Sequence, residues 1–212
     1  MALQILYEDA HVVVVDKPSG MLSVPGRRLE NHHSAASWLQ ARYGEIHVVH
    51  RLDMDTSGLL IFTRHKPALR HLARQFQQRS VHKRYIAVCS GCPEAACGLI
   101  QAPLRCDWDN RPRQIVDPQQ GRPATTRWEK LACHANRAIL ALYPITGRAH
   151  QLRVHLQSIG HPILGDPFYH PEPNSAPRLL LHAQQLGFVH PHHGHWCQFS
   201  SPIPPEFGTV PA

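Results

Sequence analysis

The chain has 212 residues, of which 42% are hydrophobic, so we expect a folded chain with a real core. No apolar run approaches the roughly 20 residues that span a bilayer, and the N-terminus lacks the pattern of a signal peptide, so a cytoplasmic protein is expected. The 22 Lys and Arg residues against 15 Asp and Glu residues give a net charge of +7, which favours a polyanionic partner such as nucleic acid.

The first half of the chain has a pattern of strands separated by two helices. Ser34 is expected to cap a short helix that runs to Tyr43 and is closed by Gly44. A second, amphipathic helix is predicted over Pro67–Arg79. Its apolar face comprises Leu69, Leu72, Ala73 and Phe76. The predicted strands are His11–Asp16, Ile46–Leu52, Leu59–Thr63 and Val81–Cys89.

The second half begins with Gly98–Pro123, which is expected to form loops and short strands. Strands are predicted at Thr125–Trp128, Ala138–Tyr143 and Leu179–Ala183. A helix is predicted over His150–Ile159, with Leu152, Leu156 and Ile159 as its apolar stripe and Arg153 on another face. Many strands and few helices predict an α+β fold with a mixed, largely antiparallel central sheet flanked by helices and loops. We expect one domain over residues 1–212, made of two packed halves, roughly 1–98 and 99–212.

Cysteine and histidine usage raises the question of a metal site. Cys89, Cys92 and Cys97 have a knuckle-like spacing, but the Gly and Pro residues around them favour a turn and no second Cys-x2-Cys pair follows. We therefore expect free thiols and no metal. The histidine-rich stretch between residues 190 and 195 is expected to be a solvated loop with at most weak, adventitious metal affinity.

The polar loop His50–Gly58 joins two predicted strands and carries Asp53. A loop held between strands is a good mount for a reactive carboxylate. Asp and Thr also cap turns through side-chain hydrogen bonds, so the spacing alone leaves a catalytic and a structural interpretation equally open.

Other chemistries fit parts of this loop. Asp53-x-Asp55 is typical of Mg²⁺-dependent phosphotransferases, although Arg51 interrupts the apolar strand that they require. His50-Arg51-x-Asp53 is similar to a kinase catalytic loop, but no glycine-rich phosphate loop precedes it. A glycosidase-like carboxylate pair and a non-catalytic RNA-binding module also stay open.

A second polar segment, Thr146–His155, places a Thr-Gly turn before a predicted helix N-terminus, where backbone amides and the helix dipole favour anions. Arg148, His150 and Arg153 add donors there. Their concentration favours an anion or RNA contact over an ordinary capped helix.

Four motifs, taken in order, resemble those of the RluA family of pseudouridine synthases. They are His50-Arg51-Leu52-Asp53-x-x-Thr56-Ser57-Gly58, Lys83-Arg84-Tyr85, Thr146-Gly147-Arg148-x-His150-Gln151-Leu152-Arg153-x-His155 and Arg178-Leu179-Leu180-Leu181-His182-Ala183. The likeness extends from Asp16-Lys17-Pro18-Ser19-Gly20 to Ser201-Pro202. The resemblance implies the catalytic fold of these enzymes, with a cleft across the sheet, and isomerisation of uridine to pseudouridine in RNA.

Two further segments, Leu22–Gly26 and Cys106–Pro112, resemble a member that modifies both 23S rRNA and the anticodon stem-loop of tRNA. We therefore expect an enzyme for stem-loops of both RNAs, without the extra N-terminal RNA-binding module of several relatives. A monomer is the default expectation.

The resemblance also implies roles for single residues. Asp53 is the essential carboxylate, with three routes open: attack on C1′, addition to the uracil ring, or removal of a sugar proton. Arg153 would keep it ionised, since burial alone raises the pKa of a carboxyl group. Tyr85 would pack on the uracil and take part in proton transfer. Arg51 would enter the RNA stack and fill the space that the flipped uridine leaves.

The remaining expectations concern binding. Leu180 would line the base pocket. Lys83, Arg148 and Arg178 are candidates for phosphate contacts, which would make RNA affinity fall as salt rises. Uracil leaves C1′ through N1 and returns through C5 without redox change or net hydrolysis, so no cofactor is expected.

Overall fold

The computed structural model describes residues 3–26 and 33–209. It has a mixed, mostly antiparallel sheet arrangement with three helices, as the sequence predicts. Among the described residues no helix is long and apolar enough to cross a membrane. The chain forms two compact units, which we call unit 1, the described residues up to Lys83 with Ala183–Pro202, and unit 2, Arg84–His182 with the residues from Ile203.

Unit 1 is built from short antiparallel strands and two helices. In chain order these are β1 (Gln4–Glu8), β2 (Val12–Lys17), α1 (Ala35–Tyr43), β3 (His47–Val48), β4 (Ser57–Thr63), α2 (Lys66–Gln77), the main part of β11 (Leu181–Val189) and β12 (Trp196–Ser200). Strand β2 pairs with β1 and β4, β3 pairs with β4, and β12 pairs with β11. Val12 and Val14 of β2 pack with Leu59 and Ile61 of β4, because β-branched and large apolar side chains fill one face of a sheet.

The two helices of unit 1 agree with the sequence prediction to different degrees. Ser34 caps α1 through a capping box with Ser37, and Gly44 ends the helix, as predicted. Helix α2 begins one residue before the predicted start, and Ala73 of its expected apolar face is exposed. The amide of Gln75 instead faces inward and pairs with both the N–H and the carbonyl oxygen of Val189, at 2.9 and 2.7 Å.

Unit 2 contains a four-stranded antiparallel arrangement and a small hairpin. Its elements are β5 (His82–Ser90), β6 (Cys97–Gln101), β7 (Leu104–Cys106), β8 (Gln114–Val116), β9 (Thr125–His134), β10 (Arg137–Pro144), α3 (Gln151–Ser158) and a 3-10 turn (Pro205–Phe207). Strand β10 pairs with β5 and β9, and β6 pairs with β9. Ile86, Leu140, Leu142 and Leu156 belong to one buried cluster, so α3 packs against these strands.

Several predicted elements differ from the structure. The strand expected over Ile46–Leu52 is a strand only at His47–Val48, because Leu52 exchanges its backbone hydrogen bonds with the side chain of Ser23. The predicted helix His150–Ile159 is shorter at both ends, and Ile159 of the expected stripe is 36% exposed. Strands β1 and β12 were not predicted from the sequence.

The expectation of free thiols is wrong for two cysteines. Cys92, in the turn after β5, forms a disulfide with Cys133 of β9, and their Cα atoms are 5.9 Å apart. Cys89, Cys97, Cys106 and Cys197 are free. The pairing joins residues 41 positions apart, which are brought together by the strand register rather than by a local spacing.

Candidate active site

The loop between β3 and β4, which carries Asp53, is held by a buried lysine at the end of β2. Lys17 is 0% exposed, and its ammonium group donates to the carbonyl oxygens of Pro18, Met21 and Met54 at 2.9, 2.7 and 2.9 Å. Three carbonyl oxygens match the three N–H donors of an ammonium group, which offsets the cost of burying its charge.

The residues that follow Lys17 hold the same loop at further points. The hydroxyl of Ser23 accepts from the N–H of Leu52 at 3.0 Å and donates to its carbonyl oxygen at 2.7 Å. The hydroxyl of Ser19 donates to the carbonyl oxygen of Asp55 at 2.7 Å. The backbone is therefore fixed on both sides of Asp53, which leaves little freedom for the position of its carboxylate.

His50, at the start of the motif, has a structural place in the same unit. Burial lowers the pKa of His50 to about 3, and the nearby charge of Lys83 acts in the same direction. Its Nε2 accepts from the N–H of Ile61 at 3.3 Å, and its ring stacks on Phe76. His50 is therefore a neutral, partly buried residue that supports the loop.

Lys83, a predicted phosphate contact, lies close enough to His50 to affect its titration. Burial lowers the pKa of Lys83 itself to about 8. It sits two residues before Tyr85 on β5, so the two side chains leave the strand on the same face.

Arg51 and Asp53 differ in exposure: Arg51 is exposed and Asp53 is partly buried. Within the described ranges, the Arg51 guanidinium has no hydrogen bond or ion pair. Both residues lie in a loop, because the strand predicted over Ile46–Leu52 ends at Val48. The role of Arg51 in the RNA stack stays a prediction.

Gly58 ends the motif where β4 passes close to β11. Its φ is +109°, and a Cβ at this position would lie 2.3 Å from the carbonyl oxygen of Ala183. Real Cβ atoms do not approach backbone so closely, so only glycine fits.

In unit 2, Arg153 forms a buried ion pair that the sequence did not indicate. Arg153 is 1% exposed, and its Nε and one terminal nitrogen each donate to a carboxylate oxygen of Asp166 at 2.7 Å. Asp166 also accepts from the backbone N–H groups of Phe168 and Tyr169, and the guanidinium lies over both rings. A guanidinium has five N–H donors, so Arg153 can serve a second acceptor beside Asp166.

Tyr169 connects this ion pair to its surroundings. Its hydroxyl accepts from the N–H of Gln114 at 2.7 Å and is hydrogen-bonded to Nδ1 of His150, also at 2.7 Å. His150 occupies the left-handed region just before α3 and has no side-chain cap bond to the helix. The turn before it is held by Thr146, whose hydroxyl lies 2.7 Å from the amide oxygen of Gln151.

The other predicted site residues of unit 2 lie in different settings. Tyr85 is opposite Leu142 in the β5–β10 pair and packs on the buried cluster. Leu180 is 2% exposed and its backbone bonds to Leu164, so it is a core residue. Their roles at the uracil stay predictions.

Two predicted phosphate contacts already bind groups of the protein. Arg178 donates to Glu206 at 2.7 Å, and Arg148 donates to the carbonyl oxygen of Pro123 at 3.2 Å. An RNA phosphate would have to compete with Glu206 for Arg178, which makes this candidate weaker than Lys83.

The histidine-rich turn between β11 and β12 is ordered around His190, which is 1% exposed. Asp9, His190 and His193 place possible ligand atoms within 4.8 Å of one another. Nδ1 of His190 accepts from the N–H groups of His192 and His193, so its proton is on Nε2 and is donated to Asp9 at 2.9 Å. A metal-binding histidine normally donates from its second nitrogen, so we interpret this contact as a structural link between two turns.

Lys17, Ser23 and Asp166 were not assigned roles from the sequence. Lys17 belongs to the first segment that resembles the family, so the sequence did mark it as a residue of interest. Its three carbonyl partners can be identified only from the fold. Asp166 lies in a Gly-Asp-Pro turn that looks like an ordinary connection.

Comparison with known proteins agrees with the motifs and the fold. The family model for RNA pseudouridylate synthase matches residues 11–158. The dual-specificity RNA pseudouridine synthase RluA of Vibrio vulnificus (strain CMCP6) is 51% identical over 200 residues, covering 91% of this chain and 80% of that protein. The protein of the same name from Escherichia coli (strain K12) is 50% identical over 203 residues, covering 94% of this chain and 93% of that protein.

Solved structures show the same fold. Human RNA Pseudouridylate Synthase Domain Containing 1 has a TM-score of 0.79 at 28% identity, covering 96% of this chain and 84% of that chain. Human RNA Pseudouridylate Synthase Domain Containing 4 has a TM-score of 0.76 at 26% identity, covering 96% of this chain and 90% of that chain. The chain therefore belongs to the RNA pseudouridylate synthase family and is an isomerase that converts uridine in RNA to pseudouridine.

Proposed function

We propose that this enzyme modifies a uridine in stem-loops of both 23S rRNA and tRNA, the latter in the anticodon arm. The name of the relatives at 51% and 50% identity, a dual-specificity synthase, supports two RNA targets. The segments Leu22–Gly26 and Cys106–Pro112 resemble the family member that modifies both RNAs, and they support the same two targets. The cytoplasm, where both RNAs are found, is the proposed compartment, and a monomer is the proposed state, which sedimentation analysis would check.

Asp53 is the proposed essential carboxylate. The observation that carries this proposal is the fixed backbone on both sides of it, through Leu52 with Ser23 and through Met54 with Lys17. A reaction that breaks one glycosidic bond and forms another at the same sugar carbon needs its carboxylate at a constant position. Preorganised geometry of this kind supplies a large share of enzymatic rate enhancement.

The other residues are proposed to assist Asp53. Arg153 supplies the positive charge that keeps the carboxylate ionised, and Tyr85 stacks on the uracil and takes part in proton transfer. Arg51 fills the space of the flipped uridine, and Leu180 lines the base pocket. Lys83, Arg148 and Arg178 bind phosphates.

The first test measures the release of tritium from C5 of uridine in an anticodon stem-loop RNA, with EDTA present. We expect release by the wild-type enzyme and a loss of at least about 1,000-fold in Asp53→Asn, since the amide cannot act as a base or a nucleophile. Asp55→Asn is the matched control and should stay within about twofold of wild type, because Asp55 contributes to the loop through its backbone.

Three results would contradict this assignment. Release by Asp53→Asn at the wild-type rate would exclude Asp53 as the essential group. Tritium release that stops when EDTA is added would contradict a reaction without a metal cofactor. Salt-sensitive binding without release, on both the tRNA arm and a 23S rRNA fragment, would favour a non-catalytic RNA-binding module.

A further inference from the structure

The β7–β8 hairpin of unit 2 presents an aromatic side chain to solvent. Seven residues, 107–113, connect the two strands, and Trp108 among them is 64% exposed, although a tryptophan gains by burial. The guanidinium of Arg111 lies over its ring, with Cζ 4.0 Å from the centroid. The exposed surface is therefore a flat ring backed by a planar cation.

The loop that carries Trp108 is well ordered by its own hydrogen bonds. The N–H of Asp107 donates to the carbonyl oxygen of Arg113 at 2.9 Å. The N–H of Arg113 donates to the carbonyl oxygen of Asn110 at 3.0 Å. The amide of Asn110 also donates to the Asp107 carboxylate at 3.0 Å. These contacts fix the loop, so little conformational entropy is lost when a partner binds the exposed ring.

The charges of this loop show what holds a partner there. Arg105 is paired with Asp117, whereas Arg111 and Arg113 form no ion pair with a carboxylate in the described part of the chain. Asp107 and Asp109 lie on the same loop, so the positive charge is largely balanced. Stacking, rather than charge, is the main attraction that this surface offers.

An open cavity lined by both polar and apolar side chains lies beside the loop. It has a volume of about 420 Å³, and its lining includes Asp107, Arg113, Gln114 and Gln157. Ligand sites of about 300–1,000 Å³ accept small organic groups, and these side chains supply both donors and acceptors for a base or ribose edge. The hairpin thus combines a stacking surface with a neighbouring cavity of mixed lining.

The base of the hairpin is connected to the predicted active-site cation. The backbone N–H of Gln114, the first residue of β8, donates to the hydroxyl of Tyr169, and the Arg153 guanidinium lies 5.1 Å from the centre of the Tyr169 ring. The hairpin is therefore joined by a hydrogen bond to the residues that surround Arg153.

From these observations we propose that Trp108, supported by Arg111, stacks on an unpaired nucleotide of the RNA substrate outside the uridine site. This inference rests on the stem-loop RNA substrates proposed above. Base–aromatic stacking is tolerant of base identity. A site of this kind therefore selects for unpaired loops rather than for a sequence, which suits an enzyme with two RNA targets.

Binding to an anticodon stem-loop RNA and to the same sequence annealed to its full complement tests the proposal. Trp108→Ala should weaken binding of the stem-loop by roughly 5- to 150-fold, while Trp108→Phe should lose less than about fivefold because a ring remains. The effect on tritium release should fall on KM more than on kcat. The salt dependence of binding should be unchanged, because no phosphate contact is removed.

Trp196→Ala is the matched control, since Trp196 is also exposed, at 50%, but lies on β12 of unit 1; it should bind and react as wild type. Thermal unfolding checks that each variant is folded. Stem-loop affinity of Trp108→Ala equal to wild type, or an equal loss for the paired duplex, would overturn the proposal. Trp108-dependent binding without tritium release from wild type would overturn the proposed tRNA target but not this site.

Discussion

At the residue scale, two positive charges of this chain are buried with partners. The ammonium group of Lys17 is hydrogen-bonded to carbonyl oxygens, and the guanidinium of Arg153 is paired with the Asp166 carboxylate. Removing one member of a buried pair leaves the other uncompensated, which costs about 3–5 kcal/mol. Any test of Arg153 in catalysis must therefore separate its role at the substrate from its role with Asp166.

A pair of variants makes this separation. Arg153→Met and Asp166→Asn should each lower the free energy of unfolding by about 3 kcal/mol in urea titrations. Only Arg153→Met should also reduce kcat by about 100-fold or more after correction for the folded fraction, because it removes a charge that stabilises the reacting state. Equal kcat values for the two folded variants would show that Arg153 acts through Asp166 alone.

Lys83 gives a pH-dependent prediction. Burial lowers its pKa from 10.5 to about 8, so the folded enzyme loses this positive charge as pH rises through about 8, whereas the unfolded chain retains it to about 10.5. The cost of burying the charge is thus present below about 8 and is relieved above it. If Lys83 binds a phosphate, kcat/KM should decline above pH 8.

Lys83→Arg provides the control for this profile, because an arginine stays charged throughout the range. We expect its kcat/KM for the stem-loop RNA to be flat between about pH 7 and 9, where the wild-type value falls. The same decline in both proteins would assign the titration to another group and exclude Lys83 as the phosphate contact.

At the element scale, the position of the Asp53 loop depends on two segments, the turn after β2, which hydrogen-bonds to the loop, and the start of β4, into which the loop leads. The capped helix α1 was predicted closely, because Ser34 and Gly44 are local signals. The strand before Asp53 was overpredicted, because Leu52 takes its hydrogen bonds from a side chain 29 residues away. Local patterns do not contain such partners.

Gly58→Ala tests the close approach of β4 to β11. The new Cβ would lie 2.3 Å from the Ala183 carbonyl oxygen, at a φ of +109°. We expect the free energy of unfolding to fall by more than about 3 kcal/mol, since backbone has to move. Gly44→Ala, which also has a positive φ but no atom within 4 Å, should cost only about 1 kcal/mol. A similar loss of stability in both variants would show that the positive φ, rather than the clash with Ala183, causes the destabilisation.

At the scale of the whole molecule, each unit is assembled from segments that are distant in the chain. Unit 1 takes its last two strands, the main part of β11 and β12, from Ala183–Pro202, and unit 2 is completed by the described residues from Ile203. The contact between Asp9 and His190 spans 181 residues. The net charge of +7 suits a polyanionic substrate, but the folded chain pairs part of that charge internally, as Arg178 with Glu206 shows.

The sequence by itself determined the family and the reaction, because four motifs in order are readable without a fold. The same motifs contain Asp53, Tyr85 and Arg153, whose roles in the reaction stay predictions. It also determined helix α1 and strand β2, because a capping residue and a run of valines are signals within the elements themselves. Only the tertiary structure decided the carbonyl partners of Lys17, the pairing of Arg153 with Asp166, and the exposure of Trp108. Hydrogen bonding and burial join residues that are neighbours in space, and sequence distance does not report that proximity.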